Sequence, residues 1–233
     1  MSIFSRRAKF YAAMLPRARR CRLPNVVEGT HPAYHHSMQT FDELLHEAEI
    51  AHGHLCAGQI LGVRMAILGC LRLGIDDPKG ADRKRLVTFV EIDRCATDAI
   101  AVVTGCRLGK RALKFRDWGK MAATFLDLQT DKAIRIAALE SSKQRARELY
   151  PQIENKNQQQ MLAYRELPEE DLFSEQWVHV PMHARELPGY KSARIACAIC
   201  GEGINYDRQV EINEEITCQG CAHPESRYYQ PLD

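Results

Sequence analysis

No apolar run in this 233-residue chain reaches the roughly 18 residues that a membrane-spanning helix requires, so no transmembrane helix is expected. No internal repeat is found. Residues 1–24 lack acid altogether while carrying Arg6, Arg7, Lys9, Arg17, Arg19, Arg20 and Arg22. That stretch holds +7 of a chain whose formal charge is only +2, which leaves −5 on the other 209 residues. Ser5-Arg6-Arg7 faintly suggests a twin-arginine export signal. However, the apolar segment after it covers only Phe10 to Leu15, and both a full h-region and a small-residue cleavage site are missing. A basic arm docking on an acidic partner is the expectation. Cysteine is not scarce, with nine in all, but the spacing is no secreted disulfide framework. Cys21, Cys56, Cys70, Cys95 and Cys106 are an odd, irregular set, which fits a reducing cytoplasm.

What is present begins with His52-Gly53-His54-Leu55-Cys56-Ala57-Gly58. Imidazole and thiolate bind soft or borderline metals and act as nucleophiles near neutral pH. A lone Cys before a helix is ordinarily a small buried residue. Three reactive side chains in five positions are harder to explain by packing. Gln59 to Leu73 reads as an apolar helix closing at Gly74, which puts Cys56 at its N-terminus. Orphan N–H groups and the positive end of the helix dipole favour a thiolate or an anion there.

Around this segment the chain reads as α+β. Thr40 and Glu43 form a capping box for a helix through Phe41, Leu44, Leu45 and Ala48. Leu86 to Ile92 is dense in β-branched residues and predicts a buried strand, and Ala96 to Val103 a short helix ended by Gly105. Ala112 to Trp118 alternates as a strand, with Met121 to Leu128 as its antiparallel partner across Gly119-Lys120. Thr130 and Asp131 predict the cap of a long helix running to Tyr150, and Ile153 to Arg165 a second, polar one. Residues 166–192 are rich in acids and prolines and read as a linker with one strand at Trp177–Val180. The domain expectation is therefore an arm and lead-in (1–39), a core (40–165), the linker, and a small module (193–233).

In that module Cys197-x-x-Cys200 and Cys218-x-x-Cys221 supply four thiolates, the tetrahedral set that structural Zn²⁺ prefers. The residues between them, including Ile204 and Val210, predict a short hairpin in a zinc-ribbon-like domain. About 30 residues cannot bury a core, so the metal substitutes for one. Between Cys200 and Cys221 stands a single Arg, Arg208, against Glu202, Asp207, Glu211, Glu214 and Glu215. This argues against nucleic acid as a partner.

Cys95 repeats the setting of Cys56, a thiol at a helix start, beside Asp93 and Asp98. If the two helix N-termini converge, His52, His54, Cys56, Cys95 and Asp98 form one metal or thiol site. Lys110 and Lys120 sit in glycine-flanked turns and are candidates for an anionic ligand, although each alone reads more readily as a solvated turn residue. Cys70 reads as core.

HGHLCAG with its apolar helix, then VEIDRCATDAIAVVTGCRLGK, then DWGKMAATF closely resemble the family of E-subunits of formylmethanofuran dehydrogenase, over roughly residues 41–150. A C-terminal four-cysteine zinc module accompanies that domain. The resemblance implies a thioredoxin-like mixed sheet flanked by helices, a homodimer, and association with a molybdenum or tungsten formylmethanofuran dehydrogenase. Its cleft positions correspond to His54, Cys56, Cys95 and Asp98, with Lys110 and Lys120 nearby. Ala57 departs from the pattern, since relatives commonly carry Pro there. The chain has no cysteine array for an iron–sulfur cluster and no segment resembling a pterin-binding domain, so it is not expected to be the catalytic redox component. Three functions stand open. The first is an accessory protein that holds a second metal, sulfur or an anionic cofactor for a molybdenum or tungsten oxidoreductase. The second is a thiol- or metal-dependent enzyme in its own right, and the third a binding or regulatory protein working through the zinc module and basic arm.

Overall fold

The computed structural model of the chain describes residues 39–232. The basic stretch and nearly all of the lead-in lie outside the described residues. Helix α1 (Phe41–His52) opens with the expected capping box: Thr40 Oγ1 accepts from Glu43 N–H, and the Glu43 carboxylate accepts from Thr40 N–H at 2.8 Å. Glu43 is thereby held below the usual carboxylate range, chiefly by the Thr40 N–H. Gly53, at φ 92°, ends the helix in the left-handed conformation. Helix α2 (Ala57–Leu73) follows after four residues, with Cys56 as its N-cap and Gly74 as its C-cap.

α2 is the central element, and two glycines determine how closely it packs. A Cβ on Gly62 would stand 2.5 Å from the Ala96 carbonyl oxygen, and one on Gly69 would stand 2.4 Å from the Phe125 ring. The first contact lets α3 (Cys95–Thr104) lie against α2; the second seats α2 on the sheet. Both are backbone-close approaches that any side chain would push apart.

The sheet has five strands in the order β2-β1-β3-β4-β5. β1 (Leu86–Val90) lies second in that order, with β2 (Leu113–Phe115) parallel to it on the edge and β3 (Ala122–Asp127) antiparallel at the centre. β4 (Lys132–Ala138) and β5 (Phe173–Val178) continue the antiparallel ladder. One face, with Leu86, Val90, Phe125, Ile134 and Ile136, packs into the main core under α2. The other carries Val87, Leu126 and Ala133, covered by Val178, Val180 and Met182. α4 (Ser141–Leu149), α5 (Lys156–Glu166) and the short α6 (Glu169–Leu172) fill the path from β4 to β5.

Three sequence expectations are corrected. Ala112–Trp118 does not pair with the strand that follows it. Its strand part is β2, which lies parallel to β1 because α3 provides the crossover that a parallel pair needs. Trp118 and Lys120 N–H both donate to the Glu91 carbonyl, which turns the chain past the end of β1. Next, Thr130 and Asp131 do not cap a long helix. Asp127 gathers the Gln129 N–H and the Thr130 hydroxyl, Asp131 sits at φ 56°, and the result is the β3–β4 turn. Only Ser141–Leu149 of the expected helix is helical. Ile134 and Ile136 alternate into the core, and that burial outweighs the helical propensity of the alanine-rich segment. Third, the strand in the connector starts at Phe173, not Trp177, and is paired along its whole length with β4.

Two buried carboxylates brace the sheet. Glu91 meets Arg135 in a bidentate pair at 2.7 Å for both bonds. Asp127, fully buried, takes Arg85 at 2.8 and 3.2 Å. Burial pushes the Asp127 pKa up, but Arg85, the Gln129 N–H and Thr130 overcome it and hold the carboxyl below the usual range. A depressed carboxylate stabilises the fold above its unfolded pKa and loses that contribution as pH falls. Asp127→Asn should therefore cost about 3 kcal/mol at pH 7, at the low end for a broken buried pair because Arg85 keeps Asp82. Urea denaturation should show the gap between wild type and variant closing below about pH 4. A pH-independent gap would refute the pair's electrostatic role.

Gly62→Ala should lower stability by about 1–3 kcal/mol through overpacking. Gly109→Ala, where an added Cβ meets nothing within 4 Å, is the control and should be close to neutral. Equal urea midpoints for the two variants would overturn the close-packing account.

Candidate functional site

The α2–α3 contact builds the site. Gly58, in the first turn of α2, leaves room for Cys95: an added Cβ there would stand 3.3 Å from Cys95 Cβ and 3.7 Å from Cys56 Sγ. Neither helix has a side-chain cap, since Cys56 and Arg94 stand at the two N-cap positions without a capping hydrogen bond. His52, at the last turn of α1, completes the cluster. One donor atom each from His52, Cys56 and Cys95 lie within 4.8 Å of one another.

His52 is oriented. Its Nδ1 is 2.8 Å from Asp98 Oδ2, so the imidazole is tied to the first turn of α3. The His52 side chain is 17% exposed and that of Asp98 58%, which puts the cluster at the surface with its carboxylate outermost. A cavity of about 340 Å³ opens over it, lined by His52, Asp93, Arg94, Cys95, Thr97 and Asp98. Partial burial and the neighbouring Cys56 raise the Cys95 pKa above the usual thiol value. A bound cation would reverse that sign, because metal coordination deprotonates a thiol outright.

The expected residues divide. His52, Cys56, Cys95 and Asp98 come together. His54 lies alongside, its ring 4.7 Å from that of His52 and tilted by 43°, outside the three-donor group. Lys120 stands 5.8 Å over the Trp118 ring. Lys110 belongs to a short 3₁₀ turn (Leu108–Lys110) and lines a different, larger cavity. Cys70 is core, its thiol pushed up to about 12 by burial, and Cys106 is buried against Thr88. Two neighbours were not foreseen. Asn157, from α5, accepts the Ala57 N–H at 3.4 Å, a donor that Pro would lack. Gln59 is fully buried, and among the described residues neither its amide nitrogen nor its oxygen has a partner.

The C-terminal cysteines form a second cluster. Cys197, Cys200, Cys218 and Cys221 bring their sulfurs within 4.8 Å of one another and can hold a metal ion. The module uses two hairpins where one was expected. Ile195–Ala196 (β6) pairs with Gly203–Ile204 (β7), and Val210–Ile212 (β8) with Glu215–Thr217 (β9). Each C-x-x-C pair thus sits just beyond a strand. The Cys200 and Cys218 backbone N–H groups hold the Cys197 thiol down to about 6, and the Cys218 sulfur pushes Cys221 up to about 12.

Comparisons with known proteins establish the family and the fold. The FmdE family, described as "Molybdenum formylmethanofuran dehydrogenase operon", matches residues 51–174, just over half of the chain. The chain belongs to the FmdE family. A crystal structure of a tungsten formylmethanofuran dehydrogenase FmdE-like protein from Syntrophus aciditrophicus has the same fold. Its TM-score is 0.57 at 18% identity, over 84% of this chain and all of the other. A probable S-adenosyl-L-methionine-binding protein of Archaeoglobus fulgidus is 36% identical over 94 residues. That segment is 40% of this chain and 26% of the relative, so the chain spans about a quarter of that relative's length. Within the FmdE core, the family match takes in Cys56, Cys95 and Asp98 together with the strands that position them. No helix among the described residues is long and apolar enough to cross a membrane.

With an ion held by the four cysteines, a strong chelator should leave residues 193–232 sensitive to protease, because so small a module would draw its stability from that ion. The FmdE core should stay resistant. Unchanged protection of the module after verified metal removal would contradict this.

Proposed function

We propose that the FmdE core of this chain holds a soft or borderline metal ion at His52, Cys56 and Cys95, and serves as an accessory protein to a molybdenum or tungsten oxidoreductase. The observation that carries the reading is the convergence of one imidazole and two thiols within 4.8 Å. Donor atoms about 2.0–2.3 Å from a common tetrahedral ion stand roughly 3.5–3.8 Å apart, so the group needs only a small inward shift. The N/S₂ donor set suits zinc, nickel, cobalt or copper rather than magnesium or calcium. With Nδ1 held by Asp98, Nε2 is the His52 nitrogen that would serve as ligand, a carboxylate–histidine–metal arrangement that fixes tautomer and ring. Three protein ligands leave one position for an exchangeable group. The bound ion would supply an electrophilic centre with affinity for sulfur or an anion. The protein's own part is orientation through Asp98, exposure on one side, and the cationic Arg94 at the rim.

The family's operon description supports the molybdenum link, and the zinc assignment of the four-cysteine cluster is proposed on its donor set. A metal-free thiol nucleophile is the weaker reading, since burial and Cys56 raise the Cys95 pKa rather than lower it. The S-adenosylmethionine name belongs to a much longer protein and is not carried over.

Metal analysis of the purified chain after titration with zinc or nickel should give two ions per chain. The Cys56→Ala, Cys95→Ala double variant should keep one. Asp98→Asn should weaken the core site about 10- to 100-fold. A double variant that still binds two ions, or a wild type that never takes a second, would sink the proposal.

A further inference from the structure

A cavity larger than the one at the cysteine cluster opens elsewhere on the core. It has a volume of about 960 Å³ and opens at the far end of α3, where Val102 and Gly105 line it. Its floor is apolar, with Leu86, Ala112 and Leu128 from β1 and the loops beside it. Its rim is cationic: Lys79, Arg83, Lys84, Arg107 and Lys110. Glu47 is the one carboxylate in the lining, and it is already engaged by Lys79 at 2.8 Å and by Gln39. Among the described residues the side chains of Lys84, Arg107 and Lys110 make neither an ion pair nor a hydrogen bond.

We propose that this cavity binds a phosphorylated small molecule with a flat apolar body, of the nucleotide class. With Lys79 paired to Glu47, four further cations around one concavity repel one another, and low-dielectric walls focus their field on whatever enters. An anion of two or more charges removes that repulsion; a cationic or neutral ligand does not. The volume lies in the range of sites that enclose organic cofactors, far more than a lone phosphate would fill. The aliphatic floor gives an apolar ring system a surface from which to exclude water. Lys110 and Arg107 hold the phosphates at the exposed edge, while Val102 and Leu128 face the ring. The lining contains no aromatic side chain, so the platform for stacking successive bases on single-stranded nucleic acid is absent from it.

This cavity shares no lining residue with the one over the cysteine cluster, and ten residues of α3 put about 15 Å between Cys95 and its Gly105 end, so either proposal can fail alone.

The test titrates the full chain with a fluorescently labelled nucleoside diphosphate at low and at moderate salt. Saturable binding of one molecule per chain is expected, weakening as salt rises. Arg107→Glu with Lys110→Glu should reduce affinity at least tenfold. Both side chains are exposed, and an unchanged thermal melt certifies the fold. The Cys56→Ala, Cys95→Ala variant should bind as wild type does. Unlabelled nucleoside diphosphate should compete, S-adenosylmethionine should not, and inorganic phosphate should do so only weakly. Absence of saturable binding, indifference to the charge reversal, or equal competition by inorganic phosphate would each overturn the assignment.

Discussion

The contact between α2 and α3 is the constraint on which the site depends. It runs through Gly58, Gly62, Ala96 and Ala99, and an added Cβ at Gly62 would meet both Ala96 backbone atoms and the Ala99 side chain. Dispersion and close packing favour such contacts only when no side chain holds the backbones apart. Because the two helices touch at their N-terminal turns, the residues that begin them, Cys56 and Cys95, are neighbours although they stand 39 positions apart in the sequence. The thiols meet because the glycines permit it. His52 then follows from chain geometry, since α1 ends only four residues before Cys56 and is tied to α3 by Asp98.

The sheet supplies the other half of that constraint. Gly69 seats α2 on the Phe125 ring, so the helix is clamped between β3 and α3. The exit of β1 toward Cys95 is set by Glu91, whose carbonyl accepts two N–H groups and whose carboxylate holds Arg135 on β4. A buried charge pair of this kind is a weak source of net stability but a strict one for geometry. If β1 slipped by one residue, Glu91 would turn into the apolar face beneath α2, away from Arg135.

Local chemistry made much of this legible. The Thr40 capping box, the left-handed glycines at 53, 74 and 105, the apolar run of β1 and the paired C-x-x-C motifs each act within a few residues, and each was readable from the sequence. The heptapeptide around Cys56 likewise announced its donors. What was not legible depended on contacts between distant segments. Alternation in Ala112–Trp118 marked a strand without naming its neighbour, and only the α3 crossover makes that neighbour β1. The Lys132–Ala138 segment has helical composition, yet Ile134 and Ile136 are claimed by the core. Asn157 reaches Ala57 from 100 residues away, and no local pattern predicts it. Lys110 and Lys120 were read from their turns alone, which give no direction to a side chain.

The four-cysteine module has a structural consequence beyond its own fold. Its Tyr206 ring lies 3.9 Å beneath the Arg111 guanidinium, one residue past the turn that carries Lys110. Asp207 receives Arg185 through its carbonyl and the Tyr190 hydroxyl through its carboxylate. Between those two anchors run Pro188 and Gly189, which form one wall of the large cavity. Arg111 and Lys114 reach back to the carbonyls of Arg185 and Glu186, so the same strap is fastened to the core sheet from the other side. A module with almost no apolar core of its own can act as a rigid anchor only while its hairpins are crosslinked. An ion held by the cysteine cluster would therefore brace a wall of the cavity from outside, where the module meets the cationic rim.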